Sequence, residues 1–115
     1  MIEKIIKQIK QPHKTHMDVN DIEAQIFRWL NKIGVKTASP DKYMTSRDAI
    51  KNIWPPCIAM YTSKIMTGRS SCTVSKSYNG KFREFQVRDI KNETEAELIA
   101  VLMMINWLWE MGFYR

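Results

Sequence analysis

One stretch of the chain decides its fold: Asn92-Glu93-Thr94-Glu95-Ala96-Glu97, followed by Leu98-Ile99-Ala100-Val101-Leu102-Met103-Met104-Ile105. Asn92 can accept hydrogen bonds from the free amides of a first helical turn, and Glu95 stands at the capping-box position. The second half carries no polar side chain, so a helix here is apolar on every face. A helix of that kind is buried on several sides. We predict a long buried C-terminal helix that ends near Gly112.

A β-hairpin is the clearest signal upstream of this helix. Ser71–Tyr78 and Lys81–Ile90 flank Asn79-Gly80, the preferred pair for a two-residue turn because both residues tolerate positive φ. The turn sets three opposing pairs: Tyr78 with Lys81, Val74 with Phe85, and Cys72 with Val87. One face is therefore apolar and suited to pack on the C-terminal helix. The other face is polar apart from Phe82.

Two helices are predicted at the start of the chain. Met1–Gln11 has isoleucines at helical spacing with lysines between them, which indicates a helix that rests one stripe on the body of the protein. A basic amphipathic membrane anchor is the alternative. Asp18–Ile33 carries a second apolar stripe, with a capping box formed by Asn20 and Glu23 and a stop at Gly34.

The middle of the chain is predicted to hold a short helix and a strand. Thr45–Trp54 begins with a capping box of Thr45 and Asp48, and Pro55-Pro56 ends it. Cys57–Met66 is ambiguous between helix and strand, but its position between two prolines and a glycine favours a strand.

These elements predict an α+β fold of N-terminal helices, a small antiparallel sheet with the Asn79-Gly80 hairpin, and a long buried C-terminal helix. The 115 residues are expected to form one domain, with 1–17 as an N-terminal helix and linker and 18–115 as the α+β core. Large apolar side chains are numerous on the C-terminal helix. We therefore expect a homo-oligomer with that helix, or its aromatic end, near the interface.

Charge and cysteine content indicate which partners and which cellular compartment suit the protein. The net charge of +6 permits an anionic partner. Two cysteines without a preceding signal peptide suggest a reducing compartment, and no apolar run reaches the roughly 18 residues of a membrane span. These features predict a cytoplasmic protein that does not bind a membrane.

A zinc site is the one metal site that the composition allows. His13 and His16, together with Cys57 and Cys72, supply suitable ligand types. Paired C-x-x-C spacing is lacking, so solvated histidines and two buried thiols are favoured. We expect neither a metal nor a cofactor.

Part of the chain resembles the second half of a double-stranded-RNA-binding domain. The similarity rests on Tyr78-Asn79-Gly80-Lys81, the strand that follows, and the alanine-bearing helix from Glu95. That family places a lysine cluster at the start of its final helix to contact phosphates. Here the corresponding stretch is Asn92-Glu93-Thr94-Glu95, so the resemblance implies a topology without those phosphate-binding residues.

A second resemblance is to small phage proteins of the α/β/α "ABA sandwich" kind. Tyr43-Met44-Thr45-Ser46-Arg47-Asp48-Ala49-Ile50 is similar to their short helix start, and Glu93-Thr94-Glu95-Ala96 to the entry into their C-terminal segment. It implies a phage or prophage accessory protein without a catalytic centre, located in the host cytoplasm. Such a protein counters host defence either by sequestering a nucleotide-like signal, as anti-Thoeris sponge proteins do, or by binding a host protein directly.

No catalytic residues are predicted, because the sequence shows neither a phosphate loop nor a nucleophile beside a base. A binding site can be argued on the polar face of the hairpin. An exposed aromatic ring beside arginines stacks a base and neutralises phosphate. The hypothesis gives stacking to Phe82, phosphate contacts to three arginines, and a hydrogen bond to Asn92; the arginines are Arg28, Arg83 and Arg88. The alternative is that an N-terminal helix covers this face and Phe82 belongs to the core.

Overall fold

The computed structural model describes residues 2–11, 18–35, 37, 39–64 and 69–114. These residues form an α+β fold, as predicted, with a three-stranded antiparallel sheet. The elements in chain order are α1 (Ile2–Lys10), α2 (Val19–Ile33), α3 (Arg47–Lys51), β1 (Ala59–Lys64), β2 (Ser70–Tyr78), β3 (Lys81–Ile90) and α4 (Glu93–Glu110). The strand assignment within Cys57–Met66 is confirmed by β1.

The hairpin between β2 and β3 has the predicted register. Asn79 and Gly80 both have positive φ, at 54° and 77°, as the two-residue turn requires. All three predicted pairs form: Tyr78 with Lys81, Val74 with Phe85, and Cys72 with Val87. The apolar face of this hairpin packs on α4.

A bulge near the end of β3 was not predicted. Cys72 pairs with Val87 but Ser70 pairs with Ile90, so β3 holds one extra residue, and Asp89 adopts a φ of 60°. The extra residue changes the alternation of side chains along β3. Val87 and Ile90, three positions apart, therefore both point into the core.

The C-terminal helix is buried as predicted. All residues of the apolar stretch 98–105 except Met103 are at most 1% exposed. Asn92 caps the helix: its Oδ1 accepts a hydrogen bond from the Glu95 amide at 2.8 Å, and its Nδ2 donates to Glu95 Oε2 at 2.6 Å. The helix ends at Glu110, and Gly112 follows with a φ of 88°.

Helix α4 lies between the sheet and the other helices. It packs against β2 and β3 on one side and against α1 and α3 on the other, while α1 also packs on α2. As far as the described residues show, the second face of the sheet is open along β3, and Phe82 on it is 66% exposed. The interpretation of Phe82 as a core residue is therefore wrong.

The capping residues predicted for two helices are wrong by one or two positions. Asp18, rather than Asn20, caps α2, and its carboxylate accepts from the Asn20 amide at 2.7 Å. Glu23 does not complete a capping box, because its Oε2 accepts from the Met44 amide instead, at 2.9 Å. Helix α3 begins after Ser46 rather than at Thr45, because Thr45 belongs to the preceding turn.

The end of α3 also differs from the prediction. The helix stops at Lys51, and Ile53 and Trp54 continue as a turn and an extended segment. Pro55 explains the early stop, since a residue before proline disfavours helical dihedrals. Ile53 is nevertheless buried at 3% exposure, so the apolar side predicted for the helix reaches the core without a helical backbone.

Helix α1 rests its isoleucine stripe on the body, as predicted. Ile2, Ile5 and Ile9 are buried, and its lysines are exposed. In the described part of the chain no helix is both long and apolar enough to cross a membrane. One chain is enough to bury the apolar stretch 98–105 of α4 apart from Met103, so that stretch does not need the second chain that we expected. At the aromatic end of α4, Trp107 is half-buried and Trp109 is 41% exposed. Oligomerisation itself stays a prediction.

Candidate functional site: a basic cavity between the first two helices

The surface between α1 and α2 holds a cavity of about 420 Å³, which we call the basic cavity. Five residues line it: Lys4, Gln25, Arg28, Trp29 and Lys32. Its volume is in the range of pockets that hold small ligands. Three of its five residues carry a positive charge, and one of the three is Arg28, a residue of the predicted site.

The helical repeat places these side chains together. On α2, Gln25, Arg28 and Lys32 follow one another at spacings of three and four residues, so they lie along one side of the helix. The isoleucines of α1 pack against the body, which leaves Lys4 on the exposed part of that helix. Packing of α1 on α2 then brings Lys4 close to Gln25, Arg28 and Lys32.

The three cations have no partner within the described residues. Lys4, Arg28 and Lys32 are exposed, and none forms an ion pair or a side-chain hydrogen bond. Arg28 and Lys32 are also four residues apart on one helix, where two like charges destabilise the helix by a few tenths of a kcal/mol. The chain thus keeps three positive charges around one cavity without neutralising them.

Trp29 forms the floor of the basic cavity. Its side chain is only 4% exposed, so neither face of the indole is open to a stacked base. The polar groups that reach the cavity are two ammonium groups, one guanidinium and the amide of Gln25. This set suits phosphate oxygens, because cations donate strong hydrogen bonds to them and arginine can do so with two N–H groups.

A second cavity, of about 260 Å³, adjoins the first and has mixed charge. It shares Trp29 and Lys32 with the basic cavity but is also lined by Glu3 and Glu110. Glu110 accepts a hydrogen bond from Asn106 Nδ2 at 3.0 Å. These carboxylates repel an anion, so the favourable position for one is on the side of Lys4 and Arg28.

The other residues of the predicted site lie elsewhere and are not brought together with Arg28. Phe82 and Arg88 share the open face of the sheet, but six residues of strand separate them by about 20 Å. Arg88 Nη2 donates to Gln86 Oε1 at 2.9 Å. The two side chains are therefore too far apart to hold the base and the phosphate of one nucleotide.

Arg83 and Asn92 are engaged within the chain. The guanidinium of Arg83 lies over the Phe85 ring, 4.8 Å from its centroid, on the opposite face of the sheet from Phe82. Asn92 uses both side-chain polar atoms to cap α4. Lys76, which pairs with Arg83 across the hairpin, is buried and donates to the Pro56 carbonyl.

A second charged cluster, at the start of α4, consists of Arg47, Glu93 and Glu97, and we call it the Arg47 cluster. Arg47 Nη2 lies 2.7 Å from Glu97 Oε1, and Nη1 lies 3.4 Å from Glu93 Oε2. Glu97 is 2% exposed and Arg47 46% exposed. The cluster connects α3 to α4. Its carboxylates also make the start of α4 unsuitable for phosphate.

Cys72 lies close enough to the Arg47 cluster for the charges to affect it, but it is not an activated thiol. Burial, reinforced by the negative charge of Glu97, raises the pKa of Cys72 to about 12. The thiol therefore stays protonated at neutral pH and is a poor nucleophile. Where the chain is described, no three side chains of His, Cys, Asp or Glu converge as a metal site would need. The histidines of the zinc hypothesis, His13 and His16, lie outside the described residues.

The sequence contained the signal for the basic cavity only in part. Arg28 was singled out because it projects from α2 opposite the apolar stripe. Lys32, one turn after Arg28 on the same side of α2, was not included in the predicted site, and neither was Lys4, one of the lysines between the isoleucines of α1. Nothing local in the sequence shows that α1 packs beside this side of α2. Comparison with family models, curated proteins and solved structures finds no match.

Proposed function

We propose that this chain is a binding protein rather than an enzyme, and that its basic cavity holds the phosphate groups of an anionic, nucleotide-like ligand. The observation that carries this proposal is the trio of Lys4, Arg28 and Lys32, which line one cavity without an ion-pair partner among the described residues. A bound phosphate group removes the mutual repulsion of these cations and accepts several charge-assisted hydrogen bonds.

The biological setting that we propose is a phage or prophage accessory protein that counters a host defence by binding, in the host cytoplasm. Sequestering a phosphorylated signal requires affinity but no catalysis, and the basic cavity offers charge without a reactive nucleophile. Direct inhibition of a host protein is the alternative to sequestration, and homo-oligomerisation remains a prediction.

The test is calorimetric titration of the full chain with sodium triphosphate and with ATP. We expect both to bind, and Arg28→Ala/Lys32→Ala to weaken each affinity by about a hundredfold or more, since two hydrogen bonds to charged groups contribute about 1.5–3 kcal/mol each. ATP should bind no more than a few times tighter than triphosphate, because Trp29 is covered and cannot stack a base.

The matched control is Lys42→Ala/Lys81→Ala. It removes the same two charges from exposed positions that do not line the cavity. We expect affinities within about twofold of the parent. Equal losses in both double variants mean that only net charge matters, and this result contradicts the proposal, as does an absence of binding to the parent chain at millimolar ligand.

A further inference from the structure

The positive surface does not end at the basic cavity. Lys7 follows Lys4 by one turn of α1, about 4.5 Å along the helix axis, and it is also exposed and unpaired within the described part of the chain. On α2, Arg28 and Lys32 are about 6 Å apart along their axis. Four cations thus extend across two neighbouring helices, over a length greater than one phosphate group occupies.

Acidic residues are few on this surface. Asp21 continues the α2 stripe seven residues before Arg28, and Glu3 lies on the first turn of α1. Glu110 adds a third carboxylate, in the adjoining cavity that Lys32 also lines. None of the four cations forms an ion pair among the described residues. The exposed row of Lys7, Lys4, Arg28 and Lys32, which we call the basic row, is therefore matched by few carboxylates and suits a ligand with several phosphates in succession.

The exposure of aromatic side chains indicates whether the basic row fits single-stranded or double-stranded nucleic acid. Proteins that bind single strands stack bases on exposed aromatic rings. Trp29, the aromatic residue of the basic cavity, is 4% exposed and offers no such ring. Among the described residues two aromatic side chains are exposed: Phe82, which lies on the sheet, and Trp109, which lines the adjoining cavity. Glu3 and Glu110 line that cavity too, and their charges disfavour a phosphate-bearing strand beside Trp109. A surface with charge but no stacking ring fits a duplex, whose bases are already stacked inside.

We infer that the basic row binds the phosphate backbone of a nucleic-acid duplex, without reading its base sequence. This inference rests on the proposed function and extends it, because the cations that hold the phosphates of a nucleotide-like ligand would also contact successive phosphates of a duplex backbone. All four side chains of the basic row are cations, and their contacts to phosphate oxygens do not depend on the base sequence.

The test is fluorescence anisotropy with labelled 16-base-pair DNA and RNA duplexes between 50 and 200 mM salt. Four phosphate contacts predict a slope of log Kobs against log salt of about −3.6, because each contact contributes about −0.9. Lys7→Ala should weaken duplex binding and reduce the magnitude of the slope by about 1. The same variant should leave ATP affinity unchanged, since Lys7 does not line the basic cavity. Two duplexes of unrelated sequence should bind within about twofold of each other.

Lys81→Ala at the hairpin turn is the control and should leave both the duplex affinity and the slope as in the parent. The DNA and RNA arms show which duplex the surface prefers, and binding of either supports the inference. Tighter binding of a single strand of equal length overturns it, as does a duplex slope that Lys7→Ala leaves unchanged. If triphosphate binds through Arg28 and Lys32 but neither duplex binds more tightly than ATP, the inference fails and the proposed function stands. If no phosphate compound binds, both fail.

Discussion

Arg28 and Arg47 are both exposed arginines on helices, yet their surroundings differ completely. Arg47 contacts two carboxylates, one of them almost fully buried. Arg28 contacts none and shares a cavity with two lysines. A paired arginine holds two elements of the fold together, whereas an unpaired one beside other cations keeps its charge available for a ligand. The contrast between the Arg47 cluster and the basic cavity separates charge used for stability from charge available for binding.

The largest expected effect comes from a buried carboxylate that has no cation. Met104 lies seven residues after Glu97 on α4, on the same side of the helix, and is 0% exposed. Met104→Glu should leave the chain unfolded at 25 °C, because burying an unpaired charge costs a large part of the 5–15 kcal/mol that typically stabilises a domain. Circular dichroism and urea unfolding measure this. Met104→Leu, the matched control, should lose less than about 1.5 kcal/mol, and a folded Met104→Glu contradicts the all-round burial of α4.

The next effect is removal of the cation from the Arg47 cluster. Arg47→Ala leaves the Glu97 carboxylate buried without its partner, and should lower the free energy of unfolding by about 2–4 kcal/mol, below the upper end for fully buried pairs because Arg47 is half exposed. Urea unfolding measures the loss. The double variant Arg47→Ala/Glu97→Gln removes the stranded charge and should recover part of it. A stability equal to the parent's in Arg47→Ala shows that the cluster is not structural.

Removal of cations from the basic cavity, unlike removal of Arg47, should not lower the free energy of unfolding. Arg28→Ala/Lys32→Ala removes two cations that form no ion pair, so the free energy of unfolding should stay within about 0.5 kcal/mol of the parent or rise slightly, since a like-charge pair four residues apart is lost. Thermal melts without ligand test this. A clear drop in melting temperature would mean that these residues stabilise the fold, and it contradicts the proposed difference between the basic cavity and the Arg47 cluster.

Phe82 gives a prediction about the open face of the sheet. Its side chain is 66% exposed, so Phe82→Ala should change stability by no more than about 0.5 kcal/mol. Because Phe82 does not line the basic cavity, affinity for triphosphate and ATP should also be unchanged. A tenfold loss of ATP affinity instead supports the site first predicted on the hairpin.

Glu23, a buried carboxylate, is expected to have a small, pH-dependent effect on stability. Burial raises the pKa of Glu23, although the Met44 amide hydrogen bond opposes that shift. The folded chain therefore binds a proton more readily than the unfolded chain, and this group's contribution to stability falls as the pH rises from the unfolded pKa through the raised folded one. Glu23→Gln keeps an acceptor for Met44 and should melt at or above the parent's temperature at pH 7. The advantage should shrink or reverse below the unfolded pKa. A lower melting temperature at pH 7 contradicts the dominance of burial.

The sequence predicted those parts of the fold that depend on local chemistry. Asn79-Gly80 permits one tight turn, which sets the register of the hairpin, and an apolar run without a polar face can only be buried. Helix starts were less certain, because Asp18 competes with Asn20 and Ser46 with Thr45 for the same capping role. Which of two neighbouring residues with similar side chains becomes the cap depends on tertiary contacts, and the local sequence does not show these contacts.

The candidate site was harder to predict than the fold, because it forms only where α1 and α2 pack together. Arg28 could be found from its position opposite the apolar stripe. Its grouping with Lys4 depends on how α1 packs against α2, and the exclusion of a stacked base depends on the burial of Trp29. The bulge at Asp89 shows the same limit, since one extra residue in β3 changes which side chains reach the core.

The most direct test of the central claim is a ¹H–¹⁵N NMR titration of the full chain with sodium triphosphate. The account predicts that the amide signals that move with ligand concentration belong to α1 and α2, near Lys4, Gln25, Arg28 and Lys32. Signals of β3 and of the start of α4 should stay in place, because Arg88 and Asn92 lie outside the basic cavity. Shifts centred on β3, or shifts spread evenly over every exposed lysine and arginine, contradict the assignment of the basic cavity as the binding site.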